Sequence, residues 1–234
     1  MNNYYYYDYN NIDVKTPRTG DRVTLSVRAF DSDSVREKTG GLRDRGVEVC
    51  AFLPVLWETN RPENLRELDE ALSFIDGIYV GNIGQISLGQ KTGLPVYGDS
   101  GLNVFNAESA LYFMETGLKS VTLSYELRDE AAGLSKQINQ AVSEAGRGAN
   151  LMTECLVKGR VPAMVTRYCP LAGVQGVKGD RCGRCQNTGA VYLADSRGEA
   201  YPVLLDDSNC TSIILSKNEE KNRPGGHIRR YCIL

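Results

Sequence analysis

Val23, Leu25 and Val27 alternate with Thr24, Ser26 and Arg28, the period-two pattern of a half-buried strand. A denser apolar run from Val47 to Leu56 follows, broken by Pro54. Leu65, Leu68, Leu72 and Ile75 then fall on one helical face, and Asn60 with Glu63 has the spacing of a capping box. Ile78 to Val80 returns to strand. The rhythm repeats: a strand over Leu94 to Tyr97, a helix over Ala107 to Glu115 stopped by Gly117, and a strand over Ser120 to Leu123. A long helix over Arg128 to Ala145, stopped by Gly146, leads to a strand over Met152 to Val157. Such alternation implies a parallel sheet with crossover helices, either a barrel or an open doubly wound sheet. About six strand–helix units can be read, short of the eight that close a barrel.

The two ends break this rhythm. Tyr4, Tyr5, Tyr6, Tyr7 and Tyr9 stand among Asn and Asp with no apolar period, which predicts a disordered leader over residues 1–20. The α/β region covers 21–165. A Cys-rich segment over 166–216 follows, in which periodicity is lost until Val191 to Leu193 and Tyr201 to Leu205, read as a β-hairpin around Ser196, Arg197 and Gly198. Residues 217–234, polar and basic with Pro224, Gly225 and Gly226, are read as a disordered tail.

Composition narrows the function classes. The chain has 234 residues, 41% of them hydrophobic and 24% charged, with a formal charge of -2. That is ordinary for a globular protein and too apolar for disorder. Near-neutral charge argues against bulk nucleic-acid or membrane binding, although a local basic patch survives that test. No run reaches a membrane-spanning length and no signal-peptide pattern opens the chain, so a cytoplasmic protein is expected. The single His, His227, removes every His-pair metal site and argues against a His-based triad.

Seven cysteines are present. Cys169, Cys182, Cys185 and Cys210 lie in irregular, charged, Gly-rich sequence with the spacing C-x12-C-x2-C-x24-C. A C-x2-C turn brings two thiolates to one metal, and two further Cys complete four soft ligands, which suits zinc or an iron–sulfur cluster. Lys158, Arg160, Arg167, Lys178, Arg181 and Arg184 outnumber the local acids and would stabilise deprotonated ligands, or hold an anionic substrate or RNA backbone. Cys50 and Cys155 sit in apolar strand runs and read as packing residues. Cys232 is given no role.

Several stretches of text together resemble the collagenase-like peptidase family U32. They are Ile78 to Gly81 (IYVG), Gly98 to Asn106 (GDSGLNVFN), Val121 to Leu127 (VTLSYEL), and Glu154 followed by Gly159 to Pro170 (GRVPAMVTRYCP). The C-x2-C pair, the AD-S-R-G turn, Tyr201-Pro202-Val203 and Cys210 come after in order, and the resemblance spans about residues 22 to 216. It is nearest to the C-terminal segment of the family's long members. It implies a partial TIM-barrel-like α/β sheet followed by a Cys-rich metal-binding segment and hairpin, and it moves the metal from zinc towards a [4Fe-4S] cluster. Family members have been classed as proteases. Relatives hydroxylate tRNA or rRNA bases with prephenate as oxygen source, or the ubiquinone ring. The opening Tyr tract and basic tail depart from the family pattern, so a truncated or frame-disrupted fragment is expected, with a partner chain completing the barrel.

In a barrel, functional groups gather at the C-terminal strand ends. The polar residues there are Asp99, Asn103, Ser124, Glu126 and Glu154, with Arg160 close by. Glu126 is the acid–base candidate and Asn103 orients substrate beside it; Ser124, Glu154 and Arg160 are candidate substrate contacts. Against these stand plainer readings: Glu126 as a first-turn helix acid, Arg160 as a counter-charge to the cluster. Asn106, directly before the Ala107 helix, reads as an N-cap. Tyr168 adjoins a ligand Cys and would shield it from water. No H-E-x-x-H, nucleophile elbow or phosphate-loop motif is present. The alternatives to an iron–sulfur hydroxylase are a peptidase and a non-catalytic zinc-stabilised module.

Overall fold

The computed structural model describes residues 1–9, 12–58, 60–144, 151–176, 185, 190–206, 210–223 and 225–234. The chain forms two compact units, Met1–Gly159 with Lys221–Leu234, and Arg160–Glu220.

The first unit is a closed barrel of eight parallel strands. Its strands are β1 (Asn2–Tyr6), β2 (Arg22–Ser26), β3 (Glu48–Phe52), β4 (Gly77–Val80), β5 (Val96–Gly98), β6 (Ser120–Thr122), β7 (Met152–Gly159) and the C-terminal Ile228–Ile233. Each pairs with the next, and Ile228–Ile233 lies between β7 and β1, pairing Arg229 with Cys155 on one side and Asn2 on the other. Closure corrects the expectation of a partial barrel needing a partner chain: the two missing strands are the segments read as a disordered leader and tail. Asn3, Tyr5 and Tyr6 are at most 3% exposed, and Arg230 is fully buried. Their text hides a strand because this barrel is polar inside, so its inward positions carry Asn, Tyr and Arg where sequence reasoning looks for Val or Leu.

The apolar core lies on the outer wall. Outward positions Tyr6, Val23, Leu25, Val49, Ala51, Ile78, Val80, Val121 and Cys155 form one buried cluster with residues of the surrounding helices. Those helices are α1 (Asp33–Asp44), α2 (Pro62–Ala71), α3 (Ile83–Lys91), α4 (Ala107–Glu115) and α5 (Ala131–Glu144). Helix α4 starts where the sequence places it, with the Asn106 side chain accepting from the Ser109 amide at 2.8 Å. Helix α2 differs: it begins at Pro62, is capped by Arg61 without a side-chain bond, and makes no capping box from Asn60. Proline favours the first helical turn, where its missing N–H has no partner to lose. Helix α5 starts three residues later than read, because Arg128 turns to φ 47 and kinks the 3-10 segment Tyr125–Glu130 that precedes it.

The second unit carries a four-stranded antiparallel sheet of β8 (Pro162–Thr166), β9 (Val191–Ala194), β10 (Ala200–Asp206) and β11 (Thr211–Leu215), in the order β8-β11-β10-β9. A short helix, α6 (Pro170–Gln175), follows β8. Arg160 clamps the base: its guanidinium donates to the Ser216 carbonyl at 2.7 Å and to the Lys217 carbonyl, while the Ser216 amide donates to Val161 O at 2.8 Å.

Candidate functional site

Strand alternation sends every second side chain into the barrel. Those side chains are Asn3 and Tyr5 from β1, Arg22 and Thr24 from β2, Glu48 from β3, Tyr79 from β4, Tyr97 from β5, Thr122 from β6, Glu154 from β7, and Arg230 and Cys232 from the last strand. Barrels of this kind usually fill with Val, Ile and Leu. Here two guanidiniums and two carboxylates, joined by Asp99 just after β5, are threaded with phenols. Gly77 makes room for this filling, since a Cβ there would lie 2.5 Å from the Tyr97 ring.

The network has two centres. At the lower end Arg22 donates to Glu48 at 2.7 Å and to the Tyr79 phenol at 2.5 Å, and Tyr97 donates to Glu48 at 2.5 Å. Nearer the C-terminal mouth Arg230 donates to Glu154 and Asp99, each at 2.5 Å, to Tyr125 at 2.9 Å and to Thr122 at 3.0 Å. Tyr79 joins the two by donating to Glu154 at 2.6 Å, Asn3 donates to Glu154 at 2.8 Å, and Tyr5 donates to Asp99 at 2.7 Å. The Arg230 guanidinium also lies 4.3 Å from the Tyr5 ring centroid.

Electrostatics follow from this packing. Burial opposes the Arg230 charge, but Asp99 and Glu154 outweigh it and hold the guanidinium protonated far above its ordinary range. Burial, then the Asp99 charge, pushes the Tyr5 phenol up, and burial, then Glu154, does the same to Tyr79. Burial also raises the thiols: Cys232 to about 11, against the opposing pull of Arg230, Cys155 to about 12, and Cys50 strongly upward. All three are protonated at neutral pH and make poor nucleophiles.

The sequence candidates separate in the structure. Asn103 is exposed in the left-handed region at φ 54, a conformation in which Asn is enriched, and closes the turn after β5. Its loop is pinned to the loop after β6 by the Ser124 amide, which donates to Val104 O at 3.1 Å. This sets Asn103, buried Ser124 and exposed Glu126 on adjoining loops at the mouth. Glu154 does not join them; it is fully buried and held by Arg230, Tyr79 and Asn3. Arg160 lies in the other unit with its guanidinium engaged on backbone carbonyls. Sequence reasoning missed Arg230, Tyr5, Tyr79 and Tyr125. The one signal for them is the recurrence of polar residues at alternate positions within otherwise apolar strands.

The thiols of the second unit are Cys169, Cys185 and Cys210, each half-buried and present as a thiol rather than a disulfide. Cys182 lies outside the described residues, as do Lys178, Arg181 and Arg184. Among the described residues no three metal-ligating side chains come together. Thr166 of β8 faces Ser212 of β11 across the ladder, so Cys169, three residues after β8, and Cys210, just before β11, leave the sheet at the same end. The hydroxyls of Thr211 and Ser212 beside them are buried without a hydrogen-bond partner. Soft donors next to orphaned hydroxyls fit a thiolate-ligated iron–sulfur or zinc centre.

The family model described as Peptidase family U32 matches residues 17–197. The structure of the U32 peptidase Mk0906 superposes with a TM-score of 0.59 at 14% identity, covering 100% of this chain and 93% of that one. A glycerol uptake operon antiterminator-related protein of Thermotoga maritima matches with a TM-score of 0.40 at 17% identity, covering 67% and 83% of the two chains. No curated protein matches the sequence. Among the described residues no helix is long and apolar enough to cross a membrane.

Proposed function

The chain belongs to peptidase family U32, and on that premise we propose that it is an iron–sulfur protein related to the hydroxylases of tRNA or rRNA bases. The observation that carries this reading is the division of its thiols. Those of the barrel are buried and protonated, while Cys169, Cys185 and Cys210 are half-exposed in the second unit, and the buried hydroxyls of Thr211 and Ser212, which lack a partner, come directly after Cys210. With Cys182 they would hold a [4Fe-4S] cluster, or zinc in its place. When bound, the cluster supplies one-electron transfer. The exposed residues at the mouth, Asn103 and Glu126, with Ser124 below them, orient the substrate there. Arg167 and the lysines and arginines near Cys182 and Cys185 offer charge to an anionic partner such as RNA.

A peptidase finds less support. The one His–hydroxyl contact among the described residues joins His227 Nδ1 to Thr153 Oγ1 at 3.3 Å. Thr153 is fully buried, where no peptide bond reaches it.

The test is iron and sulfide analysis, with an absorption spectrum, of protein purified without oxygen, alongside Cys182→Ser and Cys185→Ser. About four irons and four sulfides, lost in the variants, is the expected result. Zinc instead of iron would replace the cluster with a zinc-stabilised module. Absence of metal, or gelatin cleavage that survives both Cys variants, would overturn the reading. Where the cluster is found, mass spectrometry of nucleosides from RNA treated with the loaded protein tests hydroxylation.

A further inference from the structure

We infer that Ser212 donates a hydrogen bond to a sulfur atom of the centre held by Cys169 and Cys210, an inference that rests on the cofactor reading above. Both hydroxyls are enclosed, Ser212 at 1% exposure and Thr211 at 5%, and neither finds a protein acceptor. A buried hydroxyl without a partner is costly and needs an explanation. Thiolate and sulfide sulfurs are large anionic acceptors, and they need donors of this kind.

The strand register supports the placement. Ser212 lies opposite Thr166, and directly opposed residues of an antiparallel pair share a face of the sheet. The Thr166 hydroxyl accepts from the Tyr168 amide at 3.1 Å, folding the chain towards Cys169. Ser212 therefore shares its face with the turn that delivers Cys169. Thr211 follows Cys210 directly and faces the other side of the strand. Cys210 itself holds a left-handed φ of 47, unusual for a residue with a Cβ.

The experiment uses Ser212→Ala and Thr211→Val in the full chain, with and without reconstitution by ferrous iron and sulfide, and with zinc in parallel. The inference predicts a reversal of sign. Without metal, removing an unsatisfied buried hydroxyl leaves thermal stability unchanged or raises it. With metal, the same change speeds loss of the centre to a chelator by about tenfold and moves the cluster midpoint to lower potential. A shift in Ser212→Ala supports the inference, and Thr211→Val, on the opposite face of the strand, is its comparison. If the wild-type chain retains metal while Ser212→Ala leaves chelation rate and potential unchanged, this inference falls and the cofactor reading stands. If Ser212→Ala destabilises the metal-free protein instead, its hydroxyl is structural and the inference falls likewise. If the wild-type chain takes up neither iron nor zinc, the cofactor reading fails and carries this one with it.

Discussion

Arg230→Met is the substitution that tests the polar barrel most directly. Arg230 is fully buried, and its removal leaves Asp99 and Glu154 enclosed without their counter-charge and Tyr125 and Thr122 without a donor. Removing one partner of a buried ion pair costs about 3–5 kcal/mol, and here two carboxylates lose the same partner. Domains of this size are stable by about 5–15 kcal/mol, so a loss at or above the upper figure leaves the barrel close to unfolding. The assay is urea unfolding followed by fluorescence. The only Trp, Trp57, is buried in the barrel unit and reports that unit selectively. Arg43→Met, which breaks a part-exposed pair with Asp76, is the control and changes stability by no more than about 1 kcal/mol. Adding Asp99→Asn and Glu154→Gln to Arg230→Met removes the stranded charges and restores part of the loss. A cost for Arg230→Met no larger than the control's would refute the argument that the network holds the barrel closed.

Tyr79→Phe removes the phenol that links Arg22, Asn3 and Glu154, and costs about 1–3 kcal/mol by the same assay, whereas exposed Tyr112→Phe is neutral. Gly159→Ala forces a side chain onto φ 136 with its Cβ 2.2 Å from the Cys232 carbonyl, so β7 and the last strand part; expect a loss of about 3 kcal/mol or more, and a stability equal to wild type would contradict the register. Alkaline titration reads the buried phenols. Burial raises Tyr6 from 10.0 to about 12, so its contribution is complete below pH 10 and is lost as pH rises through 12. The phenolate absorbance of the buried tyrosines, read as the step beyond that of the exposed ones, should rise with, and not before, the fluorescence change of unfolding.

Much of the wall could be read along the chain. The strands from Val23 to Val157 and the helices between them are visible because their outward faces are apolar and pack against helices, the arrangement that hydrophobic periodicity detects. The Asn106 cap was legible for a similar reason, since its bond reaches only three residues along the chain. The Asn60 box was not, because Pro62 fixed the helix start by its own φ. Of the candidate residues, Asn103, Ser124 and Glu126 lie on adjoining loops at the mouth, as strand ends in a parallel barrel must. Glu154 is fully buried inside the barrel instead, and Arg160 belongs to the second unit.

What the amino-acid sequence determined by itself is the order of strand and helix and the outer face of each strand. What only the tertiary structure decided is closure. Asn3, Tyr5 and Arg230 look like polar tails along the chain, and become interior residues only when Glu154, Tyr79 and Asp99 arrive from 76 to 151 residues away to satisfy them. A buried polar side chain is stable only with its partner present, and at those separations the partner is supplied by the fold.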